Sequence, residues 1–248
     1  MKTRAALVGF GAMGKAVAEL LKNHMDLCLC GIVDPMSPSC LPSLDALNEQ
    51  PDVIIDFSHP DSLPMLAQYI RAHGTPAVLC TTGYSEQQEA LVHELSQHAP
   101  ILRSRNMSLG VCVMERVLRM ITPVLNGYDV EIIERHHNKK IDAPSGTALA
   151  LARAVESCGS FTEVHGRDGI VGARKKGEIG IHAVRGGTIV GEHEVLFAGE
   201  DEVLSIRHSA QSKRLFAAGA IRAALFAASA GRPGLYTMDD ALFGGKEA

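Results

Sequence analysis

A glycine-rich turn near the N-terminus constrains the fold of this chain more than any other feature. The apolar run from Ala5 leads into Gly9-Phe10-Gly11-Ala12-Met13-Gly14, and apolar residues at helical spacing follow the turn. A second apolar run, residues 27–33, ends at Asp34, twenty residues after Gly14. Glycines at this spacing let a backbone turn approach a pyrophosphate, and an acid at this distance can bind a ribose. The pattern predicts a strand, a turn and a helix that together bind a dinucleotide.

The same segment predicts which dinucleotide is preferred. The Asp34 carboxylate can accept hydrogen bonds from ribose hydroxyls but repels a 2′-phosphate, and the following Pro35-Met36 supplies no cation to offset that repulsion. We therefore expect the chain to prefer NADH over NADPH. NADPH remains possible, because Lys15 or another loop residue could accept the phosphate.

Alternating strand and helix patterns continue after Asp34. Strands are predicted at residues 53–57, 76–80 and 101–103, and helices at residues 63–73 and 85–97. The polar segments Thr81-Thr82-Gly83 and Ser104-Arg105-Asn106-Met107 follow two of these strands. Ligands bind outside the carboxyl ends of strands in an open α/β sheet, so we expect Thr81, Thr82 and Asn106 on the nicotinamide side. Loops of this composition are also ordinary in such domains.

Composition excludes several classes of partner. The chain has 248 residues, of which 46% are hydrophobic, with a net charge of −4 and a pI near 6.3. These values suit one or two globular domains and give no general attraction to nucleic acid or acidic membranes. No apolar run has the form of a signal peptide or the length of a membrane span. The six cysteines lack zinc or redox spacing, so we expect reduced thiols in a cytoplasmic protein.

The pattern changes after Met107. A helix is predicted at residues 110–125, and the strand-rich stretch 177–208 predicts antiparallel strands with one buried face. A final helix at residues 214–229 could return to the first domain. We expect a dinucleotide-binding α/β domain, residues 1–107 and 214–248, and an α+β domain, residues 108–213, with an open mixed sheet. The exposed side of that sheet predicts an oligomer.

A basic stretch, residues 134–148, is the candidate reaction site. A strand pattern over residues 128–133 leads to His136 and His137, and a loop with two lysines follows. A histidine titrates near neutral pH and can both bind an anion and transfer a proton. The stretch therefore predicts acid catalysis on an anionic substrate.

Helix-start residues follow the basic loop. A helix is predicted to begin near Ser145, and its first N–H groups, at Gly146 and Thr147, would face a carboxylate or phosphate. Two other interpretations stay open: a solvated basic loop before an ordinary capped helix, and a metal site. Adjacent histidines on a strand point to opposite faces, and no acidic or cysteine ligand lies at zinc spacing, so we expect no metal.

These residues carry a family resemblance that spans nearly the whole chain. The stretch Glu134-x-His136-His137-x-x-Lys140-x-Asp142-Ala143-Pro144-Ser145-Gly146-Thr147-Ala148 resembles the signature of the 4-hydroxy-tetrahydrodipicolinate reductase family, also called dihydrodipicolinate reductase, of lysine biosynthesis. The supporting segments are the glycine turn, Ile55-Asp56-Phe57-Ser58, Thr81-Thr82-Gly83, Asn106-Met107-Ser108-Leu109-Gly110-Val111 and Phe216-Ala217-Ala218-Gly219-Ala220.

The resemblance implies a Rossmann domain completed by the C-terminal helix and a central domain that builds a homotetramer. It also implies hydride transfer from NADH or NADPH to the cyclic dicarboxylate made by a preceding synthase, giving tetrahydrodipicolinate. By the same carry-over, His136 is the proton donor and Lys140 its partner, while His137, Gly146 and Thr147 hold substrate carboxylates. The residues implied at the cofactor are Gly9, Phe10, Gly11, Ala12, Met13, Gly14, Asp34, Cys80, Thr81, Thr82, Ser104, Arg105, Asn106 and Met107.

The chain departs from the family pattern mainly on the cofactor side. Cys80 stands where the family usually has Gly, and Ser104-Arg105 replaces smaller residues or proline. Two other functions stay open at this point. One is a different Rossmann dehydrogenase of amino-acid metabolism, such as an aspartate or homoserine dehydrogenase, and the other is a nonenzymatic dinucleotide sensor.

Overall fold

The computed structural model describes residues 1–244, which form eleven strands and seven α-helices. The strands are β1 (Thr3–Val8), β2 (Leu27–Val33), β3 (Val53–Asp56), β4 (Ala77–Leu79), β5 (Pro100–Arg103), β6 (Asp129–His136), β7 (Thr162–His165), β8 (Glu178–Arg185), β9 (Glu192–Ala198), β10 (Val203–Ser209) and β11 (Gly234–Tyr236). The helices are α1 (Ala12–Leu21), α2 (Leu63–His73), α3 (Glu86–Leu95), α4 (Leu109–Ile121), α5 (Gly146–Glu156), α6 (Arg214–Ser229) and α7 (Met238–Phe243). None of these helices is long and apolar enough to cross a membrane.

The described chain divides into two compact units. The first contains Met1–Leu109 and the segment from Arg214 onward, and the second contains Gly110–Lys213. Each unit has its own sheet and its own buried apolar core.

A six-stranded parallel sheet forms the centre of the first unit. Its order is β11-β5-β4-β3-β1-β2, and every neighbouring pair is parallel. Residues 5–8, 53–55 and 77–79 have no exposed surface, as expected of strands covered on both faces. The strand order reverses between β1 and β3, which is where such sheets open a crevice for ligands. The predicted Rossmann architecture is confirmed.

Helix α6 belongs to the first unit and packs against α1 and the sheet. Its buried face consists almost wholly of small residues, Ala217, Gly219, Ala220, Ala223, Ala224 and Ala227, with Ile221. A Cβ on Gly219 would lie only 1.6 Å from the carbonyl oxygen of Met107. The small face therefore lets the helix approach the backbone that ends the first half of the unit.

The second unit is built on a five-stranded mixed sheet of order β10-β9-β6-β8-β7. Strand β6 lies at its centre, parallel to β8 and antiparallel to β9. The expectation of antiparallel pairing throughout residues 177–208 is therefore wrong for β8, although β9 and β10 do pair antiparallel. The reason is that β6 lies between β8 and β9, so these two strands do not pair with each other. Every second residue of β6 is buried and faces a core that it shares with α4 and α5.

Three short elements escaped prediction. Strand β7 lies at a sheet edge and has no buried residue, and β11 has only three residues, so neither has an apolar period to detect. Helix α7 begins at a Thr237 capping box with Asp240 but spans only six residues. Their formation depends on pairing with β8 and β5 and on packing against α6.

Candidate functional site

The glycine turn between β1 and α1 gives each glycine a different surrounding. Gly9 has φ +89°, and a Cβ there would lie 2.5 Å from the carbonyl oxygen of Phe57. A Cβ on Gly14 would lie 2.0 Å from the carbonyl oxygen of Gly9, so helix and turn meet backbone to backbone. A Cβ on Gly11 would meet nothing within 4 Å. The turn thus has two glycines required by packing and one that leaves open space for a ligand.

Helix α1 presents an uncapped N-terminus to that space. Gly11 is its N-cap residue, no side chain caps it, and its first turn contains no acidic residue. Phe10 is half-buried, Gly11 and Ala12 are exposed and Met13 is half-buried. Backbone N–H groups and the helix dipole at such a terminus suit a phosphate.

Asp34, the residue after β2, holds the glycine turn in place through its side chain. Its Oδ2 accepts a hydrogen bond from the Phe10 N–H at 2.8 Å, and its Oδ1 accepts one from the Met36 N–H at 3.0 Å. Each carboxylate oxygen still has a second lone pair. The carboxylate can therefore hold the turn in place and accept further hydrogen bonds from a ligand.

Three residues after β4, Cys80, Thr81 and Thr82, were predicted to contact the cofactor, and their side chains differ in exposure. Cys80 is 6% exposed, and burial raises the pKa of its thiol well above the ordinary value, so the thiol stays neutral. Thr81 is buried, and its Oγ1 has no hydrogen-bond partner among the described residues. Thr82 is exposed. Of these three residues, Thr82 alone has an exposed side chain.

Arg103, at the end of β5, ties two loops together. Its Nη1 donates to the carbonyl oxygens of Leu79, at 3.1 Å, and Thr81, at 2.8 Å. Its Nη2 and Nε donate to Glu89, and its guanidinium lies 4.4 Å from the centre of the Tyr84 ring. The hydrogen bonds from Arg103 hold the pKa of Glu89 below its usual value. Sequence reasoning gave Arg103 no role.

The segment after β5 is folded on itself. Ser104 Oγ donates to the carbonyl oxygen of Asn106 at 2.7 Å, and Asn106 Oδ1 accepts from the Ser108 N–H at 2.9 Å. The exposed Arg105 pairs with Glu89 at 3.2 Å. Met107 is 2% exposed, so its side chain belongs to the core. Asn106 is half-buried, and its amide oxygen shapes the segment that it occupies.

The end of β6 carries the densest polar cluster of the second unit. His136 Nδ1 lies 2.6 Å from Oε2 of Glu134, which has no exposed surface. Arg185 on β8 donates to both Glu134 oxygens at 2.8 Å, and the Ser145 N–H donates to Oε1 at 3.0 Å. Burial alone would raise the pKa of Glu134, but the hydrogen bonds from Arg185, His136 and Ser145 hold it below its usual value.

The start of α5 is joined to this cluster through Ser145. The Ser145 hydroxyl accepts the Ala148 N–H at 3.1 Å and lies 2.9 Å from Nε2 of His193 on β9. Gly146 is exposed, a Cβ there would meet nothing within 4 Å, and Thr147 is half-buried. The turn that follows Ser145 therefore faces open space.

His193 lies beside His136 with ring centroids 5.1 Å apart in an edge-on arrangement. Burial, together with the neighbouring His136, lowers the pKa of His193 to about 4. His193 is therefore neutral at physiological pH and adds no charge next to His136.

The basic loop is arranged differently from the expected pairing. Lys140 Nζ lies 2.7 Å from Oδ1 of Asp142, and its side chain is 21% exposed. His137 is half-buried and Lys139 is exposed. The Lys140 ammonium group is thus held by Asp142 at the edge of the site.

Glu134, Arg185 and His193 are the residues of this cluster that sequence reasoning left without a role. Glu134 could have been found, because a residue two positions before His136 on a strand shares its face. Arg185 and His193 come from β8 and β9, and only the sheet register brings them to this point.

No group of three or more His, Cys, Asp and Glu side chains within residues 1–244 is arranged to hold a metal ion. His136 is the last residue of β6 and is buried, and the half-buried His137 follows it.

Known proteins resemble this chain along its whole length. Residues 3–107 match the family model described as dihydrodipicolinate reductase, N-terminus, and residues 110–242 match the corresponding C-terminus model. A 4-hydroxy-tetrahydrodipicolinate reductase of Caldanaerobacter subterraneus subsp. tengcongensis is 46% identical over 236 residues, which cover 93% of this chain and 94% of that protein. One of Clostridium novyi is 43% identical, covering 94% of each chain.

A solved structure agrees at the level of the fold. The dipicolinate-bound dihydrodipicolinate reductase from Paenisporosarcina sp. TG-14 superposes with a TM-score of 0.75 at 24% identity, covering 98% of this chain and 100% of that one. The two family models together account for both units. The chain therefore belongs to the dihydrodipicolinate reductase family, the NAD(P)H-dependent reductases of lysine biosynthesis.

Proposed function

We propose that this chain reduces 4-hydroxy-tetrahydrodipicolinate to tetrahydrodipicolinate, with His136 as the proton donor. The observation that carries the proposal is the position of His136, held by a buried carboxylate at the end of β6 and close in the fold to the exposed start of α5. A proton donor fixed beside an anion-binding helix start suits a carboxylated substrate.

The residues of the first unit fit a nicotinamide dinucleotide. Gly11 leaves space that a Cβ would fill, the N-terminus of α1 has no side-chain cap, and Asp34 keeps lone pairs for hydroxyl groups. We assign pyrophosphate binding to the turn Gly9–Gly14 and ribose binding to Asp34. The main chain at Cys80 and Thr81, the Thr82 side chain and the segment Ser104–Met107 would border the nicotinamide. The bound cofactor supplies the hydride.

The residues of the second unit fit a dicarboxylate. Two carboxylates need two anion sites, and we assign these to His137 and to the helix start at Gly146 and Thr147. Lys140 adds positive charge, and its ion pair with Asp142 holds it at the edge of the site. The 4-hydroxyl group leaves as water, hydride adds to the resulting unsaturated ring, and a protonated His136 neutralises the negative charge that hydride addition creates by giving up its proton.

The cofactor preference follows from charge. Pro35 and Met36 are exposed and bring no cation to Asp34, so we propose that NADH is used more efficiently than NADPH.

We also propose that residues 1–107 and 214–248 bind the cofactor, and that residues 108–213 bind substrate and build a homotetramer. The edge strand β10, with Val203 62% and Leu204 43% exposed, supports association. Light scattering that returned the mass of a monomer would contradict the tetramer.

Location in the cytoplasm is part of the same proposal. All six cysteines lie among the described residues, and none forms a disulfide. Thiols that remain reduced are typical of that compartment.

Turnover is tested by mixing the protein with freshly generated synthase product and either cofactor. Loss of NADH absorbance that requires the synthase product is the expected result, with a higher kcat/KM for NADH than for NADPH. Cofactor binding without turnover would instead favour a dinucleotide sensor. A tenfold preference for NADPH would contradict the charge argument at Asp34 by about 1.4 kcal/mol.

A further inference from the structure

We infer that Glu134 and Arg185 are positioning residues that keep the ring proton of His136 on Nδ1, so that Nε2 is the nitrogen that serves the substrate. The inference rests on the proposed role of His136 and concerns how that role is prepared before any substrate arrives. Neither residue needs to touch substrate or cofactor.

The first step is that Glu134 must be ionised. A carboxylate has about four lone-pair sites, and three N–H groups donate to this one, two of them from the charged Arg185 guanidinium. The Arg185 Nη1 and the His136 Nδ1 lie at 2.8 and 2.6 Å from Oε2, and the Arg185 Nη2 and the Ser145 N–H lie at 2.8 and 3.0 Å from Oε1. The charge of Arg185 beside both oxygens and the Ser145 N–H favour the ionised carboxyl, and they hold the pKa of Glu134 below its usual value against the effect of burial.

The second step is that an ionised Glu134 determines the tautomer. The carboxylate can only accept hydrogen bonds, so the Nδ1 atom of His136 must carry a hydrogen to make the 2.6 Å contact favourable. In the neutral ring this leaves Nε2 without a hydrogen. The working nitrogen is therefore Nε2, which gains a proton when the ring is charged and can pass it on.

Arg185 stabilises the buried, ionised Glu134. Glu134 is completely buried, and a lone carboxylate there would carry a large desolvation cost. The two-pronged ion pair offsets that cost and blocks Glu134 from taking the proton of His136. Arg185 also donates to the carbonyl oxygen of Asp142 at 2.6 Å, so the same guanidinium anchors the basic loop.

The Nε2 side of the ring is kept open by a small residue. A Cβ on Gly191 would lie 3.1 Å from Nε2, so any larger side chain at this position would crowd the nitrogen. His193 packs edge-on against the ring and is neutral at physiological pH. Glu134 thus holds the Nδ1 side of the ring, and His193 packs against the ring edge-on.

The tautomer can be measured without any assay of turnover. Nitrogen-15 NMR of the neutral histidine rings, assigned with His136→Gln, should show the proton of His136 on Nδ1. A proton on Nε2 in the wild-type protein would overturn the inference. Because this readout is independent of the substrate, a correct tautomer without turnover would count against the proposed function alone.

Glu134→Gln supplies the kinetic test. An amide of the same shape can no longer accept all four donors, so we expect kcat to fall about 10- to 100-fold, with KM changed less than threefold, as for other residues that orient a functional histidine. The tautomer signal should change in the same variant. Unchanged kcat in a folded Glu134→Gln protein would overturn the inference.

Glu194→Gln is the matched control. Glu194 also lies on the second sheet and also accepts from an arginine, Arg135, and from Ser205 at 2.7 Å, but it has no contact with His136. It should keep the wild-type kcat and tautomer. Arg185→Lys retains one charge but loses the two-pronged pair, and we expect a kcat between those of the wild type and Glu134→Gln.

Discussion

Gly11 and Gly14 lie three positions apart in the same turn, yet they should respond differently to the same added methyl group. Gly11 faces open space, whereas a Cβ on Gly14 would lie 2.0 Å from the carbonyl oxygen of Gly9. Gly11→Ala should leave the free energy of unfolding within about 0.5 kcal/mol of the wild type. It should weaken NADH binding about tenfold, because the methyl group enters the space assigned to the pyrophosphate.

Gly14→Ala should do the opposite. Crowding against backbone that cannot move away should cost about 1–3 kcal/mol of stability. Denaturant unfolding and fluorescence titration of NADH on both variants separate the two effects. A Gly11→Ala protein that bound NADH as tightly as the wild type would remove the turn from the proposed cofactor site.

Local sequence was sufficient to identify some of these residues but not others. The glycine turn, the two histidines and the start of α5 are readable because each depends on neighbours within a few positions. The contact between Arg185 and Glu134 depends on pairing between β6 and β8, which places Arg185 opposite His136. The spacing of apolar residues along one strand does not indicate its register with another strand. The contact between Arg185 and Glu134 could therefore not be predicted.

Strand β6 organises the second unit on both of its faces. One face carries Ile132, Glu134 and His136 towards the core, and the other carries Glu131. Glu131 accepts hydrogen bonds from Arg167 at 3.0 Å, Arg174 at 3.0 Å and His182 at 2.7 Å. The carboxylate therefore links the central strand to the long segment between β7 and β8.

This ion cluster predicts a pH-dependent contribution to stability. Burial by itself would raise the pKa of Glu131, but the hydrogen bonds from Arg167, His182 and Arg174 lower it from 4.5 to about 2. A depressed folded-state pKa means that the stabilisation is fully present above pH 4.5 and is lost as the pH falls towards 2. Glu131→Gln should reduce the free energy of unfolding by roughly 2–4 kcal/mol at neutral pH.

The difference between Glu131→Gln and the wild type should shrink as the pH is lowered from 7 to 3, as measured by urea unfolding at each pH. The exposed Glu200 provides a control, because Glu200→Gln should change stability little at any pH. A difference that stayed constant across this range would show that the ionised carboxylate is not the source of the stabilisation.

The element bounds were predictable where one period ran long enough. Helices α2 and α6 begin and end at the predicted residues, because each has an uninterrupted apolar pattern. The position of β6 between β8 and β9 was not predictable, because sequence order suggests that β8 and β9 pair with each other.

At the scale of the whole molecule, two compact units divide the proposed chemistry. The first has the strand order, glycine turn and acid of a dinucleotide-binding domain, and the second has the histidine and helix start suited to a dicarboxylate. Family models match both units, so the assignment of function does not rest only on a fold that many other dehydrogenases share.

The central claim is that hydride passes from the cofactor to the cyclic dicarboxylate in a step that needs the His136 proton. The most direct test supplies NADH deuterated at the transferring position together with synthase product, and follows deuterium into the reduced product by mass spectrometry. We predict one deuterium per product molecule with the wild type. With His136→Gln, kcat should be about 10²- to 10⁴-fold lower while NADH affinity is unchanged. A product without deuterium, or His136→Gln turning over at the wild-type rate, would contradict the account.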